Sequence, residues 1–432
     1  MILSDEQKDI ELARPVFARV FIFFVAIYLV VGNLARLIAL PGLRDNLPIT
    51  VFFLYTIGLM YILLHPSVSI FILRIFPLVG IIAISTLYGS IVHGFQLIPT
   101  LYAIRLIFIL VISLSFGHML YAIYGLYAEY ALRIYVYMYI VIFFAGIIMY
   151  IAFPDSVVLW NFLNSYNIVF NGDPHQHRFY STYLDPNYYA AIACLPIILC
   201  SYLYNVTKKI IYICFVAMFI FSVVLSGSRS GGATLVAVLF IIGMKEILRL
   251  FHLRVKRNTL LIFCLLIILS FSFLPLYINN LTRIFERIAS ISTDPSAYGR
   301  LTSFQYGLEL LFQFPLLGTG YHYIYEYMKQ VGVVASVDSS MLATLINFGL
   351  ILTITLLLIF LLWTINFLKN VSALKFHDFK YLCINYFLYL VLVICFTSQF
   401  NNLLYYEFWL FPMFSIGVYL EIVAFKLSRI RI

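Results

Sequence analysis

Residues 208–245 read KKIIYICFVAMFIFSVVLSGSRSGGATLVAVLFIIGMK. Two apolar runs, 209–226 and 231–250, flank a turn of serine and glycine, LSGSRSGG (225–232). Each run is close to the roughly 20 residues that carry a helix across a bilayer. Lys208, Lys209 and Lys245 mark the outer ends, and Arg229 stands alone at the tip. Basic residues collect on the cytoplasmic side of membrane proteins, so the tip points away from the cytoplasm. The stretch is a transmembrane helical hairpin with one cation on its outer face.

Further runs of spanning length lie at 16–40, 48–65, 67–90, 97–118, 131–153, 188–204, 259–278, 340–366, 380–399 and 407–425. With the hairpin they make twelve predicted spans; Arg74 and Arg105 interrupt the third and fourth. Composition agrees, since 64% of the 432 residues are hydrophobic and only 10% are charged, against about 25% charged in soluble domains. The expected fold is an all-α polytopic bundle forming a single integral membrane domain over residues 1–432. The net charge of +9 follows from topology and points to no nucleic acid. The polar start MILSDEQKDIELARP, followed by an overlong apolar run, does not read as a cleavable leader. All six cysteines fall inside apolar spans, where they read as packing residues.

An even number of spans places both termini in the cytoplasm. Sixteen Lys and Arg then lie inside and seven outside: Arg44, Arg178, Arg229, Arg283, Arg287, Arg300 and Lys329. Only two connections are long, 154–187 and 279–339, and both are outside. Long ordered loops usually carry function. No internal repeat is visible, which speaks against a transporter built from inverted repeats. Within the second loop, RLTSFQYGLELLFQFPLLG sets Leu301, Phe304, Leu308 and Leu311 on one stripe, with Gln305 and Glu309 on another. The spacing predicts an amphipathic helix in the membrane interface, ending near Pro315, with Arg300 in its first turn. Arg283 and Arg287, four apart, would share a helical face.

Three constellations could carry chemistry. In NGDPHQHRFYSTYLDPNYYAA, Asp173, His175, His177, Arg178 and Asp185 crowd together. The two histidines could ligate a metal, but a site needs further ligands from distant segments. Solvated loop histidines or polar contact with a substrate are the other readings. Arg178 beside Phe179 and Tyr180 suits a sugar phosphate, the guanidinium for charge and the rings for the sugar. In LSGSRSGG, Arg229 adds a full charge to a helix N-terminus, which already favours anions; the plainer reading is a turn with a snorkelling side chain. In the third, GTGYHYIYEY followed by VVASVDSSMLATLINFGLIL, the titratable groups are His322, Glu326 and Asp338. Asp338 could accept a proton from an attacking hydroxyl, or it could cap the next helix with Ser339 and Ser340. Arg74 and Arg105 have few acidic partners within the spans apart from Glu421, and could line a cavity for lipid phosphate.

These segments resemble the bacterial O-antigen polymerase and O-antigen ligase superfamily. RFYSTYLDPNYYAA resembles its arginine-bearing loop, LSGSRSGG its S-x-S-R-G turn with Ser230 inserted, and GRLTSFQYGLELLFQFPLLGTGYH its Arg-led helix ending in P-L-x-G-x-G. The resemblance implies a GT-C-type glycosyltransferase that uses no metal, other cofactor or nucleotide sugar. Its donor would be a glycan on undecaprenyl pyrophosphate, and its place the cytoplasmic (inner) membrane. A chain-length regulator and a flippase would be its partners. Arg178, Arg229 and Arg300 would grip the pyrophosphate, supported by Arg283 and Arg287. Asp338 would be the base, with His322 as the alternative. Ligases typically carry a His-Asn pair where this chain has Asp338-Ser339, which favours a polymerase. A ligase, and a transporter of lipid-linked glycan, are the competing expectations.

Overall fold

A computed structural model describes residues 14–37, 49–165, 175–251, 295–324, 337 and 339–429. The described residues form thirteen α-helices: α1 (Arg14–Val31), α2 (Ile49–Leu64), α3 (Pro66–His93), α4 (Leu97–Tyr124), α5 (Ala128–Ala152), α6 (Ser156–Ser165), α7 (Pro186–Thr207), α8 (Ile211–Leu225), α9 (Arg229–Phe251), α10 (Pro295–Gln313), α11 (Ser340–Ser372), α12 (His377–Cys395) and α13 (Glu407–Arg429). Eleven of the predicted spans are therefore helices. The twelfth, 259–278, lies outside the described residues, as do Arg44, Asp173, Arg283, Arg287, Glu326, Lys329 and Asp338. Among the described residues, eight helices are long and apolar enough to cross a membrane. The hairpin helices α8 and α9 and the helix Phe53–Leu64 are shorter apolar pieces. The chain is an all-α polytopic membrane protein.

Helices α7 and α13 form the enclosed centre, each with 72% of its apolar window buried, whereas α1, α3, α11 and α12 bury 33%. The peripheral helices keep large apolar side chains such as Leu63, Ile91 and Ile151 exposed, as a lipid-facing surface requires. Small residues set the close approaches. A Cβ on Gly117 of α4 would lie 2.4 Å from the Ser415 carbonyl of α13, so these two helices meet backbone to backbone. Pro412 lies inside α13, and polar side chains next to it bond within the bundle. Tyr386 donates to the Met413 carbonyl at 2.5 Å, and Tyr135 and Ser415 share a hydrogen bond of 2.5 Å.

Helix α11 is broken. Gly349 has φ 64° and ψ −177° in the middle of it, and the turn Pro315–Gly320 is wedged into the break. Thr319 N–H donates to the Ile346 carbonyl (2.7 Å), while Leu350 and Ile351 N–H donate to the carbonyls of Pro315 (2.9 Å) and Leu316 (3.1 Å). Ser85 of α3 donates to the Asn347 carbonyl at 2.8 Å. Backbone groups freed at membrane depth must find protein partners, and here the P-L-L-G-T-G sequence supplies them.

Helix α10 ends before Pro315, as the spacing predicts, but it begins earlier, at Pro295, a residue suited to the first helical position. Arg300 therefore sits in the second turn rather than the first. The packing is shifted along the apolar stripe: Leu308 and Leu311 lie against the buried cluster of Leu310, Leu342 and Ile346. Ser303 and Leu310 are buried, whereas Phe304 and Phe312 are exposed. Gly307 explains the shift: a Cβ there would lie 3.0 Å from Leu342 and Ile346 of α11. The small-residue face docks on α11, and the aromatic face is exposed.

Candidate functional site

The connections that topology assigns to one face do meet. Asn33, after α1, donates to the Tyr183 carbonyl at 2.6 Å and to the Tyr406 hydroxyl at 3.0 Å. Tyr323, after α10, reaches the Gly94 carbonyl at 3.4 Å. At the opposite end, Tyr419 donates to the Gly125 carbonyl at 3.2 Å. The site lies at the first of these ends.

Its first wall is the segment 175–187. Asp185 caps α7, its Oδ1 accepting from the N–H groups of Asn187 (2.6 Å) and Tyr188 (3.2 Å), with Pro186 at the first helical position. Its role is thus local. His177, Ser181 and Leu184 are non-glycine residues with φ of 50°, 51° and 60°, a concentration of left-handed backbone that costs about 1 kcal/mol or more at each residue. Surrounding contacts hold it, among them Ser181 to the Ile142 carbonyl at 2.7 Å. Phe179 is fully buried against Gly146 of α5, where any Cβ would lie 2.4 Å from its ring.

This anchoring delivers Arg178 to the second wall, the LSGSRSGG turn. Arg178 Nε donates to the Ser226 carbonyl at 2.7 Å, and Nη2 donates to Asn187 Oδ1 at 3.1 Å. Phe179 N–H donates to the Leu225 carbonyl at 3.1 Å, closing the C-terminus of α8. Gly227 turns the chain with φ 58°. Ser228 then caps α9, its Oγ accepting from Gly231 N–H at 3.1 Å. Gly231 cannot carry a side chain, since a Cβ would stand 2.2 Å from Ala190 of α7. Arg229 opens α9, at the positive end of its dipole, as the sequence predicts.

The third wall was not legible as a site. The segment 396–406 between α12 and α13 ties the other parts together. Asn401 Nδ2 donates to Ser230 Oγ at 2.9 Å, and Thr397 and Thr234 hydroxyls are 2.6 Å apart. Ser340 Oγ donates to the Asn401 carbonyl at 3.2 Å, and Ser339 Oγ donates to Gln399 Oε1 at 3.0 Å. Ser339 also caps α11, accepting from Leu342 N–H at 3.3 Å, so the cap of the span after Asp338 is a serine. The signal for this wall was present as SQFNN (398–402), a polar run in a short connection on the arginine-bearing face.

The intramembrane arginines have carboxylate partners. Arg74 Nη1 lies 3.0 Å from Glu421 Oε1, whose other oxygen accepts from Trp363 Nε1 at 3.0 Å. Arg105 is paired through both nitrogens with Glu407, Nε to Oε2 being 3.0 Å. Both members of this second pair are buried. The scarcity of acidic partners expected from the sequence is thus corrected: Glu407, the first residue of the last predicted span, pairs with Arg105. Neither arginine stands as an isolated cation awaiting phosphate.

His322 lies beside the Arg105 pair. It adopts φ 66°, stacks on Tyr102 with ring centroids 3.8 Å apart, and its N–H donates to Asn347 Oδ1 at 3.2 Å. Burial, and then the charge of Arg105, lower its pKa from 6.5 to about 3. The imidazole is neutral at physiological pH and a weak base. His322→Gln should therefore leave the acidic limb of a pH–rate profile in place between about pH 5 and 7; a displaced limb would show that this ring titrates there.

His175 is buried while His177 is exposed, so the two rings of the H-x-H motif occupy different environments. No group of three or more potential metal ligands is gathered among the described residues. Arg178 and the Arg229 turn are brought together. The backbone of Arg300 lies on the helix docked against α11.

No curated protein matches the chain. Residues 213–357 match the O-antigen ligase family, a match that runs from α8 through the hairpin tip and α10 into α11 and covers two of the three segments carrying the resemblance. The match supports, over that segment, the resemblance to the O-antigen polymerase and ligase superfamily.

Proposed function

We propose that the protein polymerises oligosaccharide repeat units carried on undecaprenyl pyrophosphate, at the outer face of the bacterial cytoplasmic membrane. The observation that carries this reading is the docking of Arg178 on Ser226 and Asn187, which sets a guanidinium against the turn that presents Arg229. Two cations and a helix N-terminus at one place suit a pyrophosphate. Arg300 completes the grip, with Arg283 and Arg287 in support. Neutralising the leaving group is the main electrostatic task of such a transfer, and arginines can do it without a metal. The acceptor hydroxyl attacks the anomeric carbon, the bond to pyrophosphate breaks, and the lipid pyrophosphate leaves. Asp338 receives the hydroxyl proton.

A ligase is the second reading, favoured by the family that the hairpin and α11 match. Asp338-Ser339 in place of His-Asn favours the polymerase. Purified protein reconstituted with lipid-linked repeat units and a metal chelator should form a ladder of oligomers. Transfer only to an added lipid A core would replace this reading with the ligase. Movement of donor between leaflets with no bond formed would replace both with a transporter.

A further inference from the structure

Between α4, the turn after α10, and the start of α13 lies a partly open cavity of about 90 Å³. Tyr102, Arg105, Tyr321, Tyr405, Tyr406 and Glu407 supply its aromatic and polar lining. On α4 it extends roughly 8 to 18 Å below the helix start, at 1.5 Å per residue. Four tyrosine side chains around one buried ion pair make an unusual wall for membrane depth.

We infer that this cavity is a sugar-binding subsite for the acceptor, in which Glu407 accepts a hydrogen bond from a sugar hydroxyl. The inference rests on the proposed transfer to a sugar acceptor. The chemistry of the lining selects the ligand. Arg105 spends its charge on Glu407, so the pair is neutral as a unit, and a phosphate entering here would meet a carboxylate. A carboxylate has about four lone-pair directions, and the guanidinium occupies two of them; the others suit hydroxyl donors. Tyrosine rings offer rigid apolar faces for the C–H side of a pyranose, with a polar edge. An acyl or prenyl chain would leave the ion pair without use.

The position fits an acceptor next to the leaving group. Tyr406, adjacent to Glu407, stacks on Tyr188 with centroids 4.3 Å apart, and Asn187 beside it holds Arg178. One ring contact thus separates the cavity from the arginine grip. Packing alone does not account for the pair, because desolvating two charges costs about as much as their attraction returns.

The test uses full-length protein in detergent and, as probe, the repeat-unit oligosaccharide freed of lipid and phosphate. Saturation-transfer NMR should detect binding to wild type and to Arg229→Ala. Binding should weaken by about tenfold or more in Glu407→Gln, the scale of a lost hydrogen bond to a charged group. Tyr321→Leu, which leaves the ion pair intact, should weaken it as well, and guards against a folding defect caused by an unpaired Arg105. Unchanged affinity in both variants, or no binding by wild type, overturns the subsite. Loss of binding in Arg229→Ala would also overturn it, by locating the sugar at the arginine grip. Normal polymerisation by Arg229→Ala would instead overturn the pyrophosphate assignment and leave the subsite standing.

Discussion

Arg178→Lys should form polymer about 100-fold more slowly than wild type, even though the charge is kept. Lysine is a point donor on a flexible stem, whereas arginine presents a planar fork. In this protein the fork is used twice, on the Ser226 carbonyl and on Asn187 Oδ1, and those bonds fix the plane in which the guanidinium faces the hairpin tip. Losing two hydrogen bonds to a charged group removes about 3 kcal/mol or more, and each 1.36 kcal/mol is about tenfold in rate. Asn187→Ala removes one of the two and should cost about tenfold. The comparison is made on chain-length ladders from reconstituted vesicles. A wild-type rate in Arg178→Lys would falsify the role assigned to this arginine, while equal losses in Arg178→Lys and Asn187→Ala would mean that orientation is the whole effect.

Gly320→Ala should destabilise the bundle more than any surface substitution, by about 3 kcal/mol or more. Gly320 has φ 95°, and a Cβ there would lie 2.4 Å from Gly89 Cα and 3.0 Å from the Ser85 carbonyl. Both obstacles are backbone of α3, which cannot rotate aside. Displacing the turn would also strip the Ile346, Leu350 and Ile351 backbone groups of their partners where no water replaces them. Gly94 is the matched control: its φ is 80°, but nothing lies within 4 Å of a Cβ, so Gly94→Ala bears the backbone strain alone, about 1 kcal/mol. Thermal unfolding of both variants in detergent separates the terms. Equal midpoints would show that the wedge contributes nothing.

Much of the bundle was legible because its signals are local. An apolar run of spanning length needs no tertiary knowledge to be read as a helix, and eleven such runs are helices where the sequence places them. The hairpin tip was legible for the same reason, since Ser228 caps α9 within four residues of itself. The amphipathic pattern of α10 was legible, but which of its residues dock was not: Leu308 and Leu311 pack on the cluster of Leu310, Leu342 and Ile346, whereas Phe304 of the same stripe does not. Phe304 and Phe312 are exposed, and Gly307 sets which face comes close to α11.

The partners of the intramembrane arginines lie 302 and 347 residues away, beyond the reach of any local pattern. The same holds for the 396–406 segment, whose hydrogen bonds run to Ser230, Ser339 and Ser340. Its sequence reads as a short polar loop, and its importance comes from where the bundle delivers it. By itself the sequence determined the helices, the charge asymmetry and the segments bearing Arg178, Arg229 and Arg300. Only the tertiary structure decided that Arg178 meets the Arg229 turn, that Gly349 breaks a span to admit the Pro315–Gly320 wedge, and that Arg105 spends its charge on Glu407. Those outcomes depend on close approach and on pairing polar groups away from water, which are properties of the packed bundle rather than of any one stretch of chain.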